Sequence, residues 1–158
     1  MKFFRILLGA PLLLTVLPLA AQIPAAAPQD KGYWRASDST ARSITGDIAI
    51  SGAKLTIGFS SFPIAQIRSL TSDEAAAAFD VAAGSPGGGN LYRLMVPAAK
   101  RFQHHNTLCG SDETQWMATW SDGRELNVAF FSGSSMPVLR MDVLENSTSF
   151  CGTFRYAP

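Results

Sequence analysis

The sequence predicts a mainly β domain: a small antiparallel barrel or sandwich of about eight strands, with one short inserted helix and one disulfide. Three observations carry this expectation. Short alternations of apolar and polar residues recur from Tyr33 to Tyr156, an Asp-Gly turn joins two aromatic-rich runs, and the chain holds two cysteines behind an export signal. A closed barrel is favoured over a sandwich, because short strands leave edges that must be hidden.

The export signal occupies residues 1–21. Lys2 and Arg5 precede an apolar run from Ile6 to Leu19, closed by Ala20-Ala21, which is the charge, apolar core and small-residue order of a cleaved leader. Pro11 and Pro18 interrupt the run, and it falls short of the ~20 residues a spanning helix needs. No cysteine follows it to take a lipid, and no second apolar stretch reaches membrane length. Periplasmic or secreted localisation follows, and the alanine-rich composition points to a bacterium. Loss of Lys2 and Arg5 turns 13 basic and 12 acidic residues into 11 and 12, a net charge of −1. Binding nucleic acid needs a concentrated basic face, which this balance does not supply.

Residues 22–32 are rich in Ala and Pro and lack periodicity, so they read as a flexible leader. Residues 33–158 form the single β-rich domain. Ile44, Ile48 and Ile50 alternate with polar or small residues, as do Leu55, Ile57 and Phe59 after Ser51-Gly52. Together they predict a hairpin with one buried face. Phe62 to Leu70 reads as a strand whose Pro63 restricts its first residues to an edge or a strand start. Thr71 to Phe79 reads as a two-turn helix, capped by Thr71 or Ser72, with Asp73-Glu74 at its positive end and four alanines behind. So short a helix must dock to persist, and Phe79 and Leu70 are its apolar contacts. Gly84 to Gly89 reads as a mobile loop, and Leu91 to Val96 returns to strand.

Asp122-Gly123 predicts a two-residue turn in which Ser121 faces Arg124 and Trp120 faces Glu125. One sheet face then carries Met117, Thr119, Leu126, Val128 and Phe130. The other carries Trp116, Ala118, Trp120, Glu125, Asn127, Ala129 and Phe131, with Asn127 opposite Ala118. Val138 to Leu144 alternates as a half-buried strand, and Phe150 to Tyr156 is the last strand.

Cys109 and Cys151 are the only cysteines. In an oxidising compartment they pair, and their separation is that of a structural bridge rather than a redox Cys-x-x-Cys.

Asn106-Thr107-Leu108-Cys109-Gly110, Phe131-x-Gly133 with Pro137, and Cys151-Gly152-Thr153-Phe154 with Tyr156 resemble a group of small exported bacterial proteins of unassigned function. The likeness spans Phe102 to Tyr156, about a third of the chain. It implies a paired-cysteine, β-rich exported domain and no particular chemistry. Gly32-Tyr33-Trp34 also looks like the Gly-x-Trp that opens lipocalin-like barrels, though the other lipocalin signatures are missing.

Catalytic readings find little purchase. His104 and His105, the only histidines, would point to opposite faces of a strand and cannot share one metal, so a solvated turn explains them better. No Gly-x-Ser-x-Gly elbow is present for a Ser-His-Asp hydrolase. Asp112-Glu113 and Asp122 with Glu125 are the visible carboxylate pairs; a solvated loop accounts for the first and a turn for the second. The glycine run lacks the Lys-Ser/Thr of a phosphate loop. Asn146-Ser147-Thr148 fits the glycosylation pattern but serves a turn.

Trp116, Trp120 and Asn127 remain as the candidate recognition surface, an apolar wall with one polar contact that could meet a protein or a small apolar ligand. The competing reading has the short helix covering this wall as a second core layer. The expected function is an exported, non-enzymatic envelope module binding a protein or small apolar ligand, with no cofactor, no metal and no membrane span after signal removal. A small hydrolase using carboxylates or His104/His105 and a purely structural envelope protein are the alternatives.

Overall fold

The computed structural model describes residues 30–158; the export signal at 1–21 and residues 22–29 of the leader lie outside the described residues. Eight strands run β1 (Gly32–Ala36), β2 (Ile48–Ile50), β3 (Lys54–Ile57), β4 (Ser60–Ser69), β5 (Gly88–Val96), β6 (Thr114–Ser121), β7 (Leu126–Ser132) and β8 (Phe150–Ala157). Each pairs antiparallel with the next, and β8 pairs with β1, so the sheet closes into a barrel in simple sequence order. The connections hold α1 (Ser39–Ile44), α2 (Ser72–Phe79) and α3 (Met141–Leu144).

Period-two patterning divides the molecule into two apolar layers. Inward residues Trp34, Ile48, Ile50, Leu55, Ile57, Tyr92, Met117, Val128, Phe130, Phe154 and Tyr156 fill the barrel. Phe130 and Phe154 meet edge to face with centroids 5.3 Å apart. The outward residues Leu91, Trp116, Ala118, Trp120, Ala129 and Phe131 form a second layer beneath Ala75, Ala78 and Phe79 of α2, with Leu139 and Leu144. The helix docks as its sequence requires: Thr71 caps it, and Phe79 and Leu70 join the layer below.

Closure rests on two β1–β8 pairs, Arg35↔Ala157 and Ala36↔Tyr156, continued by Ser37 N–H to the Arg155 carbonyl at 2.9 Å. The connection after β1 clamps this seam. Asp47 accepts from the Tyr33 hydroxyl at 2.6 Å and the Ala36 N–H at 2.9 Å, which holds its carboxyl below the usual range. Thr45 and Tyr156 share a buried hydroxyl–hydroxyl bond of 2.8 Å.

Several sequence expectations are corrected. Phe59 does not continue the alternation of Leu55 and Ile57 but stands fully exposed in the β3–β4 turn. Ile44 belongs to α1, not to a strand with Ile48 and Ile50, because Asp38 caps residues 39–44 by accepting the Ala41 N–H at 2.7 Å. Residues 138–144 are not a strand. Both edges of β7 and β8 are already paired, so a further strand has no ladder to join, and the segment ends in the single turn of α3. Gly88 and Gly89 lie inside β5 rather than in a loop; a Cβ on Gly89 would sit 2.1 Å from the Thr119 carbonyl oxygen, so only glycine fits there. The β6–β7 connection has four residues, 122–125, not two. Asp122 accepts the N–H groups of Arg124 and Glu125 at 2.8 and 2.9 Å, and Ser121 pairs with Leu126.

That register shift moves partners without moving faces. Asn127 lies opposite Trp120 instead of Ala118, yet each residue keeps its side because the displacement equals one full pleat period. Pro63 sits on β4 where β3 is the neighbour and before β5 pairing begins at Ile64, so its missing N–H breaks no ladder bond there.

Cys109, in the β5–β6 connection, is bonded to Cys151 at the start of β8, with Cα atoms 5.0 Å apart. Both pack against the barrel interior. Their sequence separation of 42 predicts that Cys109→Ser/Cys151→Ser will lower unfolding stability by about 4 kcal/mol, less any native strain. Denaturant unfolding of both forms checks this, and equal midpoints would show that the bridge contributes nothing.

Candidate functional site

The helix that the sequence places after β4 is held by a dense polar cap. Thr71 Oγ1 accepts the Glu74 N–H at 3.2 Å, and Glu74 Oε2 accepts the Thr71 N–H at 2.9 Å. Arg68, on β4, donates both guanidinium nitrogens to the Glu74 carboxylate at 2.7 and 2.6 Å. Chiefly through that bidentate contact, the Glu74 carboxyl is held below its ordinary value. The cap thus fixes the position of α2 on the outer surface of the barrel, where it packs on β5, β7 and α3.

The sequence-nominated residues lie under this cover. Trp116 and Trp120 are 8% exposed and Asn127 is 4% exposed, so the wall is a second core layer over most of its area. Trp116 donates Nε1–H to the Gly133 carbonyl at 3.2 Å, and the Arg93 guanidinium lies 4.6 Å from its ring centroid. Trp120 lies against the glycine run, where a Cβ on Gly87 would come within 2.7 Å of its ring. The three residues are therefore not one open site. Trp120 borders a small hollow beside Gly87–Gly89, and Asn127 opens onto a separate groove.

That groove, of about 320 Å³, runs between α2, α3 and the outer surfaces of β7 and β8. Phe79, Met141, Leu144 and Phe150 supply its apolar lining, while Asp80, Asn127, Glu145 and Arg155 bring polar groups to it. The Asn127 amide is oriented by donating to Glu125 at 2.9 Å. A shallower hollow on the far side of α2 shares Ala77, Asp80 and Met141 with it, so the two form one continuous surface. Of these lining residues, sequence reasoning nominated only Asn127. Phe79 and Phe150 were visible as apolar residues, but nothing local revealed that α2 and α3, far apart in the chain, meet over the same strands.

A second cluster sits inside the barrel, where the chain enters β1. Asp30 is fully buried, and its Oδ2 accepts from the Asn90 amide at 3.0 Å, the Tyr92 hydroxyl at 2.7 Å and the Thr119 hydroxyl at 2.7 Å. Its Oδ1 has no hydrogen-bond partner among the described residues. Gln66 donates to the other face of the Asn90 amide at 2.8 Å, and Trp34 Nε1–H donates to the Asp30 carbonyl at 3.0 Å. Burial and the adjacent carboxylate push the Tyr92 phenol well above its usual value, so it stays a donor. Asp30 and Gly32, assigned from sequence to the leader, are thus built into the barrel. No periodicity marks Asp30, which is why the sequence does not reveal it.

The residues considered for catalysis remain apart. His104 and His105 are exposed in a 3-10 turn with φ of 51° and 62°, not in a strand, and His104 Nδ1 lies 3.3 Å from the Ser43 carbonyl. Asp122 caps its own turn, Glu125 holds Asn127, and Glu113 accepts from Gln115 at 3.4 Å. Among the described residues, no three His, Cys, Asp or Glu side chains converge as metal ligands, and no helix is long and apolar enough to cross a membrane.

No family model matches the chain, and no curated protein or solved structure gives a significant match. What it does must be argued from its own surface.

Two stability predictions follow from these contacts. Tyr92→Phe removes one donor from a buried carboxylate and should cost about 1–3 kcal/mol; an unchanged denaturation midpoint would show that Asp30 does not depend on it. Glu74→Gln should cost about 1 kcal/mol after screening of the partly exposed pair. Because the folded Glu74 carboxyl lies below its ordinary value of 4.5, its contribution is complete above that pH and lost as pH falls below it. Thermal melts should show the gap between wild type and variant closing from about pH 5 downward, and a constant gap would contradict the assignment.

Proposed function

We propose that this chain is an exported, non-enzymatic envelope module that binds its partner or ligand on the outside of the barrel, in the groove between α2 and α3. One observation carries the reading: the barrel interior is filled by its own side chains, whereas the groove outside it is not. Tyr92, Tyr156, Phe130, Phe154, Leu55, Ile57 and Met117 are all under 2% exposed within the barrel, which leaves it packed rather than hollow as in a carrier. The outer groove is apolar at its base, has convergent polar groups, and falls at the small end of ligand sites, which start at about 300 Å³. The export signal at 1–21 and the Cys109–Cys151 bridge support an oxidising compartment.

A neutral apolar dye tests the location. Nile red should brighten on the wild-type protein, and Met141→Asp or Ala77→Gln should cut that gain at least about fivefold. Met141 is half exposed, and Ala77 is only partly buried at a helix position where Gln is well accepted; an unchanged circular dichroism spectrum and melting temperature confirm that each variant keeps the fold. Dye binding indifferent to both substitutions would place the site elsewhere and overturn the reading.

A further inference from the structure

Resting on that reading, we infer that the natural occupant of the groove is a polypeptide segment of another protein, presenting an apolar anchor flanked by basic side chains. Exposed apolar side chains are concentrated in and just before α3. Met136, Val138, Met141 and Val143 are 50, 54, 49 and 38% exposed, so half of the eight large apolar side chains exposed among the described residues crowd one short segment. Single exposed apolar residues need no explanation, but four within residues 136–143, of which Met141 lines the groove itself, favour an interaction surface. Two of the four are methionines, whose flexible thioethers adapt to a partner's shape.

The electrostatic part is an imbalance. The groove and the adjoining hollow are bordered by five carboxylates, Asp73, Glu74, Asp80, Asp142 and Glu145, against the two guanidiniums of Arg140 and Arg155. Over the whole chain acids and bases are nearly equal, so the negative charge is local to this surface. Glu74 and Asp142 are already paired with Arg68 and Arg140. Asp73, Asp80 and Glu145 make no ion pair among the described residues.

Asp80 is placed against two local preferences. It caps α2 in the left-handed region, φ 55° and ψ 34°, where glycine is the easy choice. It also sets a negative charge at the negative end of the helix. A residue that opposes its local environment twice, on the rim of a groove, is explained by what it meets there.

The same charges exclude other occupants. An anionic lipid surface would be repelled, and a neutral small molecule would make no use of the rim. A second copy of this chain, docked by a two-fold axis, would set acidic rims against each other. A basic, apolar-anchored segment satisfies both the base and the rim, with the charges orienting it.

Fluorescence anisotropy with two labelled peptides tests this on the full mature chain: an amphipathic leucine–lysine peptide and its leucine–glutamate counterpart. The lysine peptide should bind at least about tenfold more tightly, and Asp80→Asn/Glu145→Gln should weaken it about tenfold. Asparagine tolerates the left-handed cap, so the fold is kept. Met141→Gln, which adds no charge, should also weaken binding through the lost apolar contact, while the distant Asp112→Asn/Glu113→Gln should not. Equal affinity for the two peptides, or equal loss in the distant pair, would overturn the inference. If Nile red still reports the groove through Ala77→Gln in those cases, the binding-module reading stands and only the occupant's chemistry falls. If neither the dye nor either peptide responds to groove substitutions, both fall.

Discussion

Closure of the sheet between β1 and β8 is the constraint on which everything else in this molecule depends. Only two register pairs and one further backbone bond make the seam, yet they remove both free edges and define an inside and an outside. The seam is braced from the β1–β2 connection, where Asp47 binds Tyr33 and Ala36 and Thr45 reaches Tyr156. The disulfide acts elsewhere, joining the β5–β6 connection to the beginning of β8. The two ends of the final strand are therefore held by different means, one by hydrogen bonds and one covalently.

Once closed, the barrel has more apolar faces than an interior can take. Strands β5 to β7 carry large side chains on both sides, and the outward set needs its own cover. That need accounts for α2, which is too short to persist alone and is held by its capping box and Arg68. It also accounts for Gly87, which leaves the space in which the Trp120 ring lies, while Gly89 makes room for the Thr119 carbonyl of the neighbouring strand. The cover is incomplete between α2 and α3, and the groove lies there. The groove outside a packed barrel is a by-product of building a second core layer with short helices.

The buried Asp30 shows the complementary logic inside. A carboxylate in an apolar barrel is costly unless it is hydrogen-bonded, and three donors from β5 and β6 converge on one of its oxygens. Their side chains point inward by the same parity that directs Met117 and Leu94 into the core. The start of the described chain is thereby anchored to strands some sixty to ninety residues later.

By itself, the sequence determined what depends on period and local chemistry. Alternation assigned residues 116–120 of β6 and 126–131 of β7 to their faces, and the pairing error over Asp122-Gly123 did no harm because a shift of one full pleat period preserves the face. Thr71, Asp73 and Glu74 announced α2, and two cysteines behind the pattern of an export signal announced their bridge. Local pattern failed where a neighbour decides. Ile44 matched the alternation of Ile48 and Ile50 but joined a helix capped by Asp38, and 138–144 alternated with no open edge to pair with. The groove was legible only through Asn127, because its lining comes from segments far apart in the chain. Periodicity records which side of a strand is apolar, whereas which distant segment covers that side is settled only when the barrel closes and the remaining surface must be shared.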